Sequence, residues 1–153
     1  MATKTLTKKR NPAASERAGK GLSAGERAAL RETIKERRAA GNKEEEARAA
    51  AAAIAALPQP DRRLAQRIDA IVKTNAPDLA AKTWYGMPAY TKDGKVVCFF
   101  KPASKFKQRY ATFGFEETAN LDAGAMWVTS FAVTELTAAD EAKLGALVKE
   151  AAS

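Results

Sequence analysis

Trp84-Tyr85-Gly86-Met87-Pro88-Ala89-Tyr90-Thr91-Lys92-Asp93-Gly94-Lys95-Val96-Val97-Cys98-Phe99-Phe100-Lys101 is the stretch that decides the fold. Two short runs rich in β-branched and aromatic residues flank Asp93-Gly94. A type I′ turn needs positive φ at both central residues, which an Asp-Gly pair supplies at little cost, so an antiparallel hairpin is predicted here. The same texture continues on both sides, with apolar runs separated by Gly, Pro and Asp. It places strands near 82–85, 88–91, 95–101, 108–114 and 126–132.

Helices bracket these strands. Leu64, Ile68, Ile71 and Val72 recur at i, i+4, i+7 and i+8, one face of an amphipathic helix over about 61–75 that Asn75-Ala76-Pro77-Asp78 breaks. Thr137-Ala138-Ala139-Asp140 has the spacing of a capping box and opens a helix to about 151, with Leu144, Leu147 and Val148 toward the core. Helix, meandering sheet, helix predicts an α+β two-layer sandwich over 59–153, with an antiparallel sheet of about five strands.

An extension of two helices is expected over 23–58. Ser23-Ala24-Gly25-Glu26 has capping-box spacing, and the helix it opens carries Leu30 and Ile34 as its only large apolar residues. Gly41-Asn42 is expected to stop that helix, with Asn42 capping a second one in which Glu44 to Glu46 occupy the first turn. Eight alanines between 47 and 56 sustain it, and Pro58 and Pro60 end it. Residues 1–22 hold Lys4, Lys8, Lys9, Arg10, Arg17 and Lys20 against Glu16 alone, among Gly, Pro, Ser and Thr, which predicts a disordered basic tail.

The chain of 153 residues suffices for one domain and an appendage. Of its net charge of +8, residues 1–60 contribute +6. Such a tail points to a solubilising role or to nucleic-acid association by counterion release. No apolar run approaches the ~18 residues of a membrane span, and the basic start has no apolar segment behind it, so no membrane partner and a cytoplasmic location are expected. The single Cys98 excludes an intramolecular disulfide framework, and its place between Val97 and Phe99 marks a buried structural thiol. With no histidine, the usual general base near neutral pH is missing. Gly86, Gly94 and Gly114 stand alone and form no phosphate loop, so enzymatic function is not expected.

The candidate site lies on the central hairpins. If 95–101 and 107–113 pair across the loop 102–106, Val96, Cys98, Phe100, Tyr110 and Thr112 share the core face. The other face then receives Lys95, Val97, Phe99, Lys101, Lys107, Arg109, Ala111 and Phe113, with Lys101 directly opposite Lys107 and Arg109 able to stack over Phe99. That like-charge pair invites a small anion or an acidic protein partner. Phe99, Lys101, Lys105, Lys107 and Arg109 are therefore candidate ligand-binding residues. Trp84, Tyr85, Tyr90 and Trp127 fit the core first, and the first three stay on the candidate side.

Trp84-Tyr85-Gly86-Met87-Pro88-Ala89-Tyr90, followed by Asp93-Gly94-Lys95-Val96-Val97-Cys98-Phe99-Phe100 between two helices, resembles the YdhG-like family of small bacterial proteins, a domain of unknown function in most members. The resemblance covers about 58–153, and the segment 21–29 looks like an extension seen ahead of this domain in some members. For some members it implies a frataxin-like fold and intracellular iron chaperoning. Labile iron wants several carboxylates, or His and Cys, on one surface. Here the first domain helix, over 61–69, carries three arginines against two aspartates where the acidic ridge would lie. Glu116-Glu117 and Asp140-Glu141 are merely adjacent pairs, the second belonging to a helix opening. Iron is thus the alternative to anion binding, and no metal ligand is assigned.

Overall fold

The computed structural model of the chain describes residues 23–153; the tail expected over 1–22 lies outside the described residues. Helix α1 spans Ala24–Ala55 and opens as expected, with Ser23 N–H donating to Glu26 Oε1 at 2.8 Å and Glu26 N–H donating to Ser23 Oγ at 3.0 Å. It does not stop at Gly41-Asn42. One glycine in a helix costs only about 1 kcal/mol relative to alanine, and the Ala- and Glu-rich flanks carry the helix through it.

Two compact units divide at Gly41/Asn42. The second, Asn42–Ser153, includes the latter half of α1, which from sequence belonged to the extension: Ala50, Ile54 and Leu57 are buried, and Ile54 and Leu57 join the core. Ile54 near the end of the helix and Leu57 just beyond it anchor this segment. Helix α2 (Asp61–Asn75) follows, then β1 (Ala80–Trp84), β2 (Met87–Lys92), β3 (Lys95–Lys101), β4 (Ala111–Phe115), β5 (Ser130–Val133) and helix α3 (Ala138–Ala151). The five strands form one antiparallel sheet in the order β1-β2-β3-β4-β5, so the fold is α+β.

Tight turns set the first two hairpins. Asp93 and Gly94 have φ of 52° and 80°, and Tyr85 and Gly86 have 51° and 78°, the positive pairs of a type I′ turn. A bulge opens between β2 and β3, where Tyr90 faces Cys98 and Thr91 faces Val96. Val97 is the extra residue, so Val97 and Cys98 are buried in succession and the alternation expected of Val96 and Val97 is lost.

The inner face of the sheet presents Tyr90, Cys98, Phe100, Ala111, Phe113, Phe115 and Val133 to Leu64, Ile68 and Val72 of α2 and to Leu144 and Val148 of α3. Burying each such large side chain stabilises the fold by about 1.5–3 kcal/mol. Thr137 caps α3, its Oγ1 accepting from Asp140 N–H at 3.1 Å while Asp140 Oδ2 accepts from Thr137 N–H at 3.0 Å. Arg67 of α2 forks onto Glu141 of α3. Gly145 lets α3 approach Asn75, whose Nδ2 lies 2.7 Å from where a Cβ would be.

The β3–β4 register differs from the expected one. Lys101 faces Thr112, and Phe100, Phe99 and Cys98 face Phe113, Gly114 and Phe115. An odd displacement exchanges the two faces of a strand: Ala111 and Phe113 are core, whereas Tyr110 and Thr112 are only half-buried. The physical cause is the loop 102–110. Gln108 N–H donates to Ala103 O at 2.9 Å and Lys107 adopts φ 53°, so the residues expected to begin a strand close a turn instead.

Candidate functional site

Alternation on the observed register assigns the outer face. Trp84 pairs with Met87, Ala89 with Phe99, Phe99 with Gly114 and Lys101 with Thr112, so Trp84, Phe99 and Lys101 project from the side opposite the core. The rings of Trp84 and Phe99 meet at 5.5 Å, tilted by 59°, and Trp84 meets Tyr85 at 5.1 Å. Gly114 makes the arrangement possible, because a Cβ there would stand 2.5 Å from Phe99 Cζ. The tip of the Phe99 ring thus lies over a backbone that carries no side chain, and a strip of three aromatic rings runs from β3 to the β1–β2 turn.

Lysines border this strip. Lys105 Nζ donates to Gly86 O at 3.1 Å, and a Cβ on Gly86 would come within 2.6 Å of that ammonium, so the turn glycine serves both its positive φ and the lysine's approach. Lys101 Nζ stands over the Phe106 ring at 5.3 Å. Continuing the β2–β3 register sets the backbone of Lys101 across from Met87, one residue from Gly86, whose carbonyl holds Lys105. The loop carrying Lys105 and Phe106 is fixed from beneath: Asp61, 3% exposed, accepts from Ser104 N–H at 2.9 Å and from Ser104 Oγ at 2.5 Å.

Five candidate residues, Trp84, Tyr85, Phe99, Lys101 and Lys105, therefore come together. Three do not. Lys107 is exposed in the loop turn and does not oppose Lys101, because the register is displaced. Arg109 stacks on its neighbour Tyr110, at 5.1 Å, rather than on Phe99. Tyr90 points into the core, where its hydroxyl donates to Asp69 at 2.8 Å and burial raises its pKa far above the phenol range. Phe106 joins the site without having been singled out from sequence; its signal was an aromatic between two lysines in a loop.

Cys98 is fully buried on the inner face, and desolvation pushes its thiol up to about 12, so it stays protonated at neutral pH. Among the described residues no three His, Cys, Asp or Glu side chains gather to hold a metal ion. Both aspartates of α2 near the expected acidic ridge have partners, Asp61 in Ser104 and Asp69 in Tyr90 and Lys73. A separate groove of about 520 Å³ opens along the β4–β5 connection, walled by Trp127, Glu116, Glu117 and Asp122. Trp127 is 42% exposed there rather than core. Among the described residues, no helix is long and apolar enough to cross a membrane. No family model, curated protein or solved structure matches the chain.

Proposed function

We propose that the chain is a non-enzymatic module of the YdhG-like kind whose outer sheet face receives a small anion bearing a planar group. Tyr85 carries the proposal. It occupies a left-handed turn position, φ 51°, where Gly, Asn or Asp fits with less strain, and it is 79% exposed. A bulky aromatic there serves neither the turn nor the core and, among the described aromatic rings, packs on Trp84 alone, and broken local rules concentrate at functional sites. Its ring lies beside Trp84, and the residue that follows it offers the carbonyl that holds Lys105. A planar group stacking on Tyr85 and Trp84 would set its charge against Lys105 and Lys101, where charge-assisted hydrogen bonds are stronger than neutral ones. An acidic protein side chain would satisfy the lysines and leave the rings idle, which favours the small ligand.

Melting of the full chain with a nucleoside triphosphate or with inorganic triphosphate tests this. Both should raise the melting temperature, the nucleotide more, by an amount that shrinks with added salt, since a ligand that binds only the folded state stabilises it and ions screen exposed charge. Lys101→Gln with Lys105→Gln should remove both effects. Tyr85→Gly, which relaxes the turn, should reduce the nucleotide effect to that of triphosphate. If the double lysine variant keeps the full shift, the site lies elsewhere.

A further inference from the structure

The first compact unit poses a separate question. Every described residue from Ser23 to Gly41 is solvent-exposed, including Leu30 at 52% and Ile34 at 41%. Most helical stability in proteins comes from packing an apolar face, and this half of α1 buries none. Four of its five cations share one side, Arg37 lying apart. At about 100° per residue, Arg31, Lys35 and Arg38 fall within a sector of about 60° beside the Leu30–Ile34 ridge, and Arg27 falls on the same strip. Glu32 lies about 60° and Glu36 about 100° from Lys35, the nearest cation of the sector. Arg31, Lys35 and Arg38 line one shallow groove together with Ile34, about 310 Å³ in volume, and among the described residues none of the three forms an ion pair.

From this strip we infer that the N-terminal half of α1 is a docking surface for the phosphate backbone of double-stranded nucleic acid. The cations follow one another at about 4.5–6 Å along the axis, from a rise of about 1.5 Å per residue, a line of positive charge that a regularly charged polyanion can match. Three of the four are arginines, whose planar fork suits phosphate oxygens better than the ammonium of lysine does. A membrane surface fits less well, because a helix lying in a bilayer interface needs a broad apolar face and this one has two large apolar residues. The tail ahead of it, with six cations against one Glu, adds charge of the same sign.

Fluorescence anisotropy of a labelled duplex of about 20 base pairs with the full chain, between about 50 and 200 mM salt, tests the inference. Each cation on a phosphate contributes about −0.9 to the slope of log affinity against log salt. Substituting Arg31, Lys35 and Arg38 together by Gln should weaken binding and make the slope shallower by about 2.7, while circular dichroism keeps its helical signal. A chain lacking residues 1–22 should show the same difference between parent and triple variant. Glu32→Gln with Glu36→Gln, on the adjoining flank of the helix, should leave the slope unchanged. An unaltered slope in the triple variant overturns the inference, as does absence of duplex binding at the lowest salt. A preference for phosphatidylserine vesicles over duplex, or a gain from the glutamate pair equal to the loss from the basic triple, overturns it as well.

Discussion

Replacing Gly114 by alanine is the sharpest probe of the outer face, because the sheet geometry that supports the Phe99 ring depends on a missing methyl. A Cβ at 114 would sit 2.5, 2.9 and 3.1 Å from three carbons of Phe99, whereas non-bonded carbons settle at about 3.5–4.0 Å. The ring must withdraw by about 1 Å, and overpacking of this size costs about 1–3 kcal/mol. Alanine is better than glycine in a strand by about 0.5–1 kcal/mol, so Gly114→Ala should destabilise by up to about 2.5 kcal/mol. In a Phe99→Ala background the clash is gone and only the strand preference remains, so the same change should then be neutral or stabilising by up to about 1 kcal/mol. The two substitutions should therefore couple by about 2 kcal/mol, within the range of residues in contact. Urea unfolding of the four proteins, with m-values compared, measures this directly. Additivity within about 0.5 kcal/mol would refute the placement of Phe99 over Gly114.

Asp61→Ala should cost about 1.5–3 kcal/mol, since the hydroxyl and backbone amide of Ser104 lose a charged acceptor; an unchanged urea midpoint would mean that the loop 102–110 is held by other contacts. Cys98 should resist a thiol reagent at pH 8 until denaturant is added, because burial keeps it protonated up to about 12; rapid labelling of the native protein would contradict its burial. Arg67 holds the Glu141 carboxyl below its ordinary value of 4.5. Its contribution to stability is then present above the unfolded-state pKa and is lost as pH falls through the lower folded one. Glu141→Gln should accordingly flatten the acid limb of the urea midpoint against pH, and an identical limb would show that the pair is inactive in solution.

Local chemistry made much of this fold legible before any coordinates. The spacing of Leu64, Ile68, Ile71 and Val72 marks α2, Asp93-Gly94 marks the β2–β3 turn, and Thr137 with Asp140 marks the start of α3, each within a few residues. What escaped depends on partners distant in sequence. Asp61 grips Ser104 across 43 positions, and the loop so fixed helps set the β3–β4 register. That register moved Lys107 and Arg109 off the face and brought Gly114 beneath Phe99. Gly41 shows the opposite error, a local stop signal outweighed by helix-forming neighbours. Tyr90 was a candidate because aromatics look alike in sequence; its place on the buried inner face and its hydrogen bond to Asp69 separate it from Trp84.

Two tryptophans give the central claim its own internal control, Trp84 on the aromatic strip and Trp127 on the β4–β5 groove. In a nitrogen-15 spectrum of the full chain, titration with a nucleoside triphosphate should move the Trp84 indole resonance along a saturating curve and leave that of Trp127 in place. Lys101→Gln with Lys105→Gln should abolish the movement. A Trp84 signal that stays still while the protein binds the nucleotide, or a Trp127 signal that moves in its stead, would contradict the assignment of this face as the ligand site.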